Sequence, residues 1–157
     1  MTILGIDPAV NNLGYGVIEE ERGALRVVTS GCLRPGSGKS FEEKLSFLCR
    51  ELNALLDRVQ PQKIAIEEIY LGKNAAVALK IGQIIGLVMG LSLIRKIPLR
   101  LIPVREVKQS LVGNGAAQKE QVKFMVERLT GLRQIATLDE SDALAVAIAC
   151  AFSREVG

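Results

Sequence analysis

At 157 residues, with 48% hydrophobic side chains and five prolines, the chain has the size and composition of one globular domain with its own core and not of a disordered segment. It contains no histidine, which excludes Ser-His-Asp and Cys-His nucleophilic machinery and nearly all zinc hydrolase sites; any chemistry must come from carboxylates, lysines, hydroxyls or a metal held by oxygen. The net charge of +3 is unevenly spread, with eleven basic and five acidic side chains in residues 61–130, a bias that suits a polyanionic partner or simply a solvated basic face.

Taken in chain order, residues 2–7 (TILGID) read as a buried strand ending in an acid, and Asp7 interrupts the apolar stretch, so no signal peptide is expected. Residues 14–21 and 24–33 are two further strands, joined by a hairpin turn at Arg22-Gly23. A loop at 35–38 precedes an amphipathic helix over 40–59, with Ser40 as its cap, Glu43 three residues on, and Pro61 ending it. KIAIEE at 63–68 is a second buried strand ending in acid. A long apolar helix over 75–94 follows, then a short strand from Pro98 to Ile102. Helices at 104–112 and 118–130 flank the loop Gly113-Asn114-Gly115, and a last helix covers 138–153. This order predicts an α/β layered domain with a mixed sheet. Cys32, Cys49 and Cys150 are odd in number and form no CxxC pair, the pattern of a reduced cytoplasmic protein.

The helix at 75–94 is long enough to cross a bilayer, but Lys80 and Gln83 interrupt it, and a buried helix is the expectation. Gly82, Gly86 and Gly90 recur on one face, where another backbone can approach closely. One side of such a helix can rest on the sheet; the other suits a second copy of the chain.

Four carboxylates stand where solvated surface charge is not expected. Asp7 and Glu67 end apolar strands; Asp139 and Asp142 share a face at the start of the last helix, Asp142 against its apolar run. If the two strands are parallel neighbours, all four meet at the carboxyl edge of the sheet, where open α/β folds place their sites. Clustered carboxylates repel and resist burial unless cations neutralise them, and oxygen-only ligands select Mg²⁺ or Mn²⁺. Two such ions about 4 Å apart suit phosphodiester cleavage. Each acid also has a plainer account: Asp7 as a turn cap before Pro8, Glu67 as a strand-end surface group, Asp139 as a partner of the helix dipole. Asp142 lies too deep in its helix to be a cap. Thr137 to Glu140 matches a capping box, which assigns Glu140 to capping.

The chain also resembles the RuvC family of Holliday junction resolvases. GIDP at 5–8 with GYGV at 14–17, AIE at 65–67 with KNA at 73–75 and ALKIGQ at 78–83, VKQSLVGNGAAQKEQV at 107–122, and DESDALAVAIA at 139–149 fall in the family's order and spacing over almost the whole chain. The resemblance implies a single RNase H-like nuclease domain over residues 1–157, a five-stranded mixed sheet flanked by helices. It implies a metal-dependent cytoplasmic endonuclease of DNA recombination and repair that cuts four-way junctions symmetrically. It places the metal-binding catalytic carboxylates on Asp7, Glu67, Asp139 and Asp142, with two Mg²⁺ ions (or Mn²⁺ in their place). DNA contacts fall on Lys108 and Lys119 near the scissile phosphate, on Tyr70 as a stacking aromatic at the junction centre, and on Lys73 and Lys80 in the second block. It further implies a homodimer through the glycine-marked helix, with Gly82, Gly86 and Gly90 at the interface, and co-operation with RuvA–RuvB branch migration. Departures lie beside Asp7: Ala9 replaces the usual Gly, and Val10-Asn11-Asn12-Leu13 replaces a stretch that commonly ends in Thr. Two other readings stay open at this level: an actin-like or sugar-kinase-like ATP-binding domain, which would need a second such domain, and a non-catalytic junction-binding adaptor.

Overall fold

The computed structural model describes residues 1–68 and 74–153. Three strands open the chain: β1 (Thr2–Asp7), β2 (Leu13–Glu21) and β3 (Ala24–Leu33). They are followed by α1 (Phe41–Val59), β4 (Lys63–Glu68), α2 (Ala75–Ile94), β5 (Leu99–Pro103), α3 (Val104–Val112), α4 (Lys119–Thr130) and α5 (Leu138–Phe152). The strands form one mixed sheet in the order β3-β2-β1-β4-β5. β1 runs parallel to β4, and β4 to β5, while β2 is antiparallel to both β1 and β3. Arg22 and Gly23 both take positive φ (54° and 84°), the two-residue geometry that matches the twist of a hairpin.

Side chains alternate across the sheet and so divide the core in two. Leu4, Ile6, Leu13, Val17, Ile64 and Ile66 face α1 and α2, meeting Leu48, Leu52, Leu55, Leu56, Ile84 and Val88. Ile3, Ile18, Ala65 and Ile102 face the opposite layer, which α5 forms together with α3 and α4. α1 begins as its sequence dictates: Ser40 Oγ accepts from the Glu43 amide at 3.2 Å, and Glu43 Oε2 accepts from the Ser40 amide at 2.7 Å. Its end precedes Pro61 by a left-handed Gln60 at φ 42°.

α5 lies against the sheet at unusually close range. A Cβ at Gly5 would stand 2.1 Å from the Ala143 carbonyl oxygen, one at Gly14 2.2 Å from the Asp139 oxygen, and one at Gly16 2.7 Å from Leu144. These three glycines share the α5 face of β1 and β2, so the missing side chains are the space the helix occupies. The helix answers with alanines; every residue from Ala143 to Cys150 is buried.

α2 is covered on one side only. Only Ile84, Val88 and Ser92 are buried, one stripe against α1 and the sheet. Leu79, Met89 and Leu93 are exposed on the opposite side (68%, 40% and 76%), in line with Gly82, Gly86 and Gly90, where an added Cβ would meet nothing within 4 Å. Within this one chain there is no element to cover that face among the described residues. Length and a mean hydropathy of 2.0 would also let this helix cross a membrane.

Candidate active site

The parallel register pairs Ile6 with Ile66, which sets Asp7 and Glu67 side by side one residue further on, at the carboxyl ends of neighbouring strands. Alternation turns both toward the α5 face, since Gly5 and Ala65 two residues earlier point there. α5 crosses that edge with its first turn, bringing Asp139 and Asp142. Its approach is fixed by Gly14 against the Asp139 carbonyl, and by two bonds that hold the helix start to β3. Ser30 Oγ donates to Glu140 Oε1 at 2.5 Å, and Cys32 Sγ lies 3.2 Å from Thr137 Oγ1.

Glu140 therefore corrects its expected role. Thr137 does cap the helix, its Oγ1 accepting from the Glu140 amide at 3.2 Å. The Glu140 carboxylate, however, reaches across to Ser30 instead of back to the cap, because α5 packs beside β3 and a hydroxyl is in range there.

Glu67 and Asp142 line a small cleft of about 70 Å³ together with Lys108 from α3 and Lys119 from α4, over an apolar floor of valines and Ala145. Lys119 Nζ donates to Asp142 Oδ2 at 2.8 Å, and this bond is the main reason its own pKa is raised. The remaining acids are left without a bonded cation among the described residues, and their electrostatics show the strain. Burial first, then the charges of Asp142 and Asp139, pushes Asp7 up to about 7, with Lys119 opposing. Burial first, then Asp7 and Asp142, pushes Glu67 up to about 7, with Lys119 and Lys108 opposing. Groups so perturbed at neighbouring strand ends beside a cleft mark functional sites more often than surfaces.

The donor set is carboxylate oxygen throughout, the hard chemistry that Mg²⁺ or Mn²⁺ takes. A cation beside Asp7 and Glu67 would relieve both the repulsion and the burial cost that raise their pKa values. As placed, no group of three or more acidic side chains among the described residues closes into a cage. The acids are gathered at one edge, with the Lys119 ammonium as the cation on Asp142.

Other residues singled out from sequence fall elsewhere. Lys80 lies on α2 with its ammonium over the Phe41 ring, 5.5 Å from the centroid, and does not line the cleft. Tyr70 and Lys73 lie outside the described residues. Sequence reasoning missed the packing role of Gly5, Gly14 and Gly16, and the anchoring role of Ser30. The glycine signal was present: glycines at every second position of a strand pair, matched by an alanine-rich helix. Ser30 carried no signal in sequence.

Comparison with known proteins follows the same outline. A family model described as crossover junction endodeoxyribonuclease RuvC matches residues 3–150. The crossover junction endodeoxyribonuclease RuvC of Chlorobium phaeobacteroides is 40% identical over 149 residues, covering 94% of this chain and 80% of that protein. That of Citrifermentans bemidjiense is 39% identical over 153 residues, covering 98% and 93%. Among solved structures, the RuvC of T. thermophilus in complex with a Holliday junction substrate superposes with a TM-score of 0.91 at 28% identity, covering 97% of this chain and 93% of that one.

Proposed function

The chain belongs to the RuvC family of crossover junction endodeoxyribonucleases, and from that premise we propose that it is a Holliday junction resolvase acting in DNA recombination and repair. One observation carries the reading: three separate elements bring Asp7, Glu67, Asp139 and Asp142 to a single sheet edge, with Lys108 and Lys119 beside them. The family match over residues 3–150 favours this reading over the ATP-binding alternative.

In this reading the four carboxylates hold metal, Mg²⁺ or Mn²⁺, two ions per site. The metal supplies an activated water and charge neutralisation at the phosphate when bound. The chain's own groups do the rest. Lys108 and Lys119 receive the backbone phosphates and fix the register of the strand, which positions without specifying sequence. Lys119 serves twice, since its ammonium also donates to Asp142 Oδ2 and so holds that carboxylate in place. The valine floor excludes water from one side of the cleft and strengthens the field of the charges above it. Tyr70 stacks at the junction centre, and Lys73 and Lys80 add backbone contacts further out.

A four-way junction offers two equivalent strands to cut, and a two-fold homodimer matches that symmetry. The uncovered face of α2, with Leu79, Met89 and Leu93 along the glycine line, is the surface for the second copy. That occupant, rather than a bilayer, suits a protein of the cytoplasm working with RuvA–RuvB.

The test uses a labelled mobile four-way junction with and without Mg²⁺. Wild type should nick opposite strands symmetrically only when Mg²⁺ is present. Asp7→Asn, Glu67→Gln, Asp139→Asn and Asp142→Asn should each lose cleavage by at least two orders of magnitude while retaining junction binding. Cleavage by any one of them near the wild-type rate would remove that residue from the site. Tight junction binding by wild type with no nicking under any condition would favour the adaptor reading instead.

A further inference from the structure

The cleft is not the only concavity at the carboxyl edge of the sheet. On the α1 side, the loop after β1 and the loop after β3 enclose a groove of about 470 Å³, lined by Asn11, Asn12, Arg34, Ser37, Lys44 and the glycines of the 36–38 turn. Its walls are built by the register. Leu13 pairs with Leu33, which brings Asn12 and Arg34 to the same end of neighbouring strands. Lys44, on the first turns of α1, then closes the third side: its ammonium donates to Asn11 Oδ1 at 2.7 Å.

Three features define what this groove takes. Its lining offers two cations, two side-chain amides, a hydroxyl and no carboxylate. Arg34 has no ion-pair or hydrogen-bond partner among the described residues, so its guanidinium is available to an incoming anion. Lys44 uses one of three donors on Asn11, which orients it and leaves two more. There is also no aromatic ring in the lining on which a base could stack, so the groove is suited to the backbone and not to bases. Position ties it to the site. Asn11 follows Asp7 by four residues, which span at most roughly 14 Å of chain. A DNA strand leaving the cleft over the edge of the sheet therefore meets this groove within a few nucleotides.

We infer that Arg34, Lys44, Asn11 and Ser37 form a second phosphodiester subsite, which holds the backbone of the junction a few nucleotides from the bond to be cut. The inference rests on the junction-resolvase reading. It gives a task to the loop 8–12 beside Asp7: that loop presents Asn11 and Asn12 to the strand and so couples the grip on the backbone to the placement of Asp7. The site is geometrically separate from Lys108 and Lys119, which line the cleft on the α5 side.

The experiment measures junction affinity in EDTA against salt concentration for wild type, Arg34→Ala, Lys44→Ala and the double variant, with thermal unfolding to verify that each is folded. Each lost phosphate contact should lower the log–log salt slope by roughly 0.9, which corresponds to about eightfold weaker binding at 0.1 M salt. A second arm places single uncharged methylphosphonate linkages along the cleaved strand. One linkage, outside the scissile position, should weaken wild type but leave the double variant no weaker than it already is. Unchanged salt slopes, or methylphosphonate losses that add to the double variant at every position, would overturn the subsite. If wild type itself fails to bind the junction, the functional reading falls and the subsite with it; if wild type binds and Lys108→Ala weakens it while the Arg34 and Lys44 variants do not, only the subsite falls.

Discussion

α2 and α5 are both apolar helices with little polar face, yet the fold treats them in opposite ways. α5 is buried from Ala143 to Cys150 between the sheet and its neighbouring helices, whereas α2 buries only the stripe of Ile84, Val88 and Ser92. The difference lies in the glycines. Those opposite α5 are in the sheet, at Gly5, Gly14 and Gly16, and are filled by the helix of the same chain. Those on α2 are in the helix itself, at Gly82, Gly86 and Gly90, and open onto nothing within the chain. The same residue thus marks a contact already made in one place and a contact offered in the other. Function follows the division: the filled contacts fix Asp139 and Asp142 against Asp7 and Glu67, and the open ones leave an apolar face for the proposed second copy.

The largest expected effect comes from breaking the filled contact with the smallest side chain. In Gly5→Ala the new Cβ would lie 2.1 Å from the Ala143 oxygen, and since that atom is backbone, helix or strand must move. Overpacking of this kind costs about 3 kcal/mol or more. Because the displaced helix carries two of the four acids, cleavage should fall further than the loss of folded protein explains. Chemical denaturation and single-turnover cleavage on the same sample separate the two; a Gly5→Ala protein with wild-type stability would show that α5 does not need this approach.

Much of this arrangement was legible in sequence because it rests on short-range signals. Ser40 with Glu43, Pro61 after α1, and the positive-φ pair Arg22-Gly23 are local, and each sits where it was expected. Asp7 and Glu67 were legible as acids at the ends of apolar strands, and the pairing of Ile6 with Ile66 places them together. What escaped depends on contacts distant in the chain. Glu140 obeyed the local capping pattern only through its amide; Ser30, 110 residues away, took its carboxylate. The glycines of β1 and β2 carried no packing role in the sequence because their reason, the backbone of α5, lies more than 120 residues further on. For α2 the composition showed an apolar helix with one side for the sheet and another left over, but not which residues fall on each side; the stripe of Ile84, Val88 and Ser92 is set by contacts with distant elements.

The second effect concerns charge in the region that α5 closes. In the unfolded chain Asp7 and Glu67 ionise near their ordinary values of 3.8 and 4.5, and in the fold both are pushed up to about 7. Between roughly pH 4 and pH 7 the folded state therefore holds protons that the unfolded state has lost, so stability falls as pH rises. The loss is complete above the folded pKa and amounts to a few kcal/mol for the pair, on the order of 1.4 kcal/mol per pH unit of separation for each group, less what their coupling shares. Metal-free protein should melt at a lower temperature at pH 8 than at pH 5.5, and the fall should be smaller in Asp7→Asn, which is more stable than wild type at pH 8 while inactive in cleavage. Mg²⁺ at pH 8 should raise the melting temperature of wild type and leave that of Asp7→Asn much less changed. Equal pH profiles for the two proteins in EDTA would show that Asp7 is not held under this strain. α2, which buries no acid, offers the contrast: substitutions there should leave the pH profile as it is.

The smallest effect is the same substitution as the largest, made on the open side. Gly86→Ala adds a Cβ that meets nothing within 4 Å in the isolated chain, so the clash that dominates at Gly5 is missing. What remains is backbone entropy, and exchanging glycine for alanine inside a helix stabilises the monomer by roughly 0.5–1 kcal/mol. Self-association should move the other way, because in the proposed dimer a methyl group on the glycine line would hold the two backbones apart. The two signs are read at different concentrations: at high dilution Gly86→Ala should unfold slightly later than wild type, while in the micromolar range it should dimerise more weakly, with Gly86→Leu weaker again. Sedimentation equilibrium over that range gives the dimer constant directly. A wild-type protein that stays monomeric at micromolar concentration with junction DNA bound would leave this face without its partner, and an unchanged dimer in Gly86→Leu would move the interface off α2. A variant that gains stability as a monomer and loses it as a dimer would tie the glycines of α2 to a contact between chains, just as a loss at Gly5 ties those of the sheet to a contact within one.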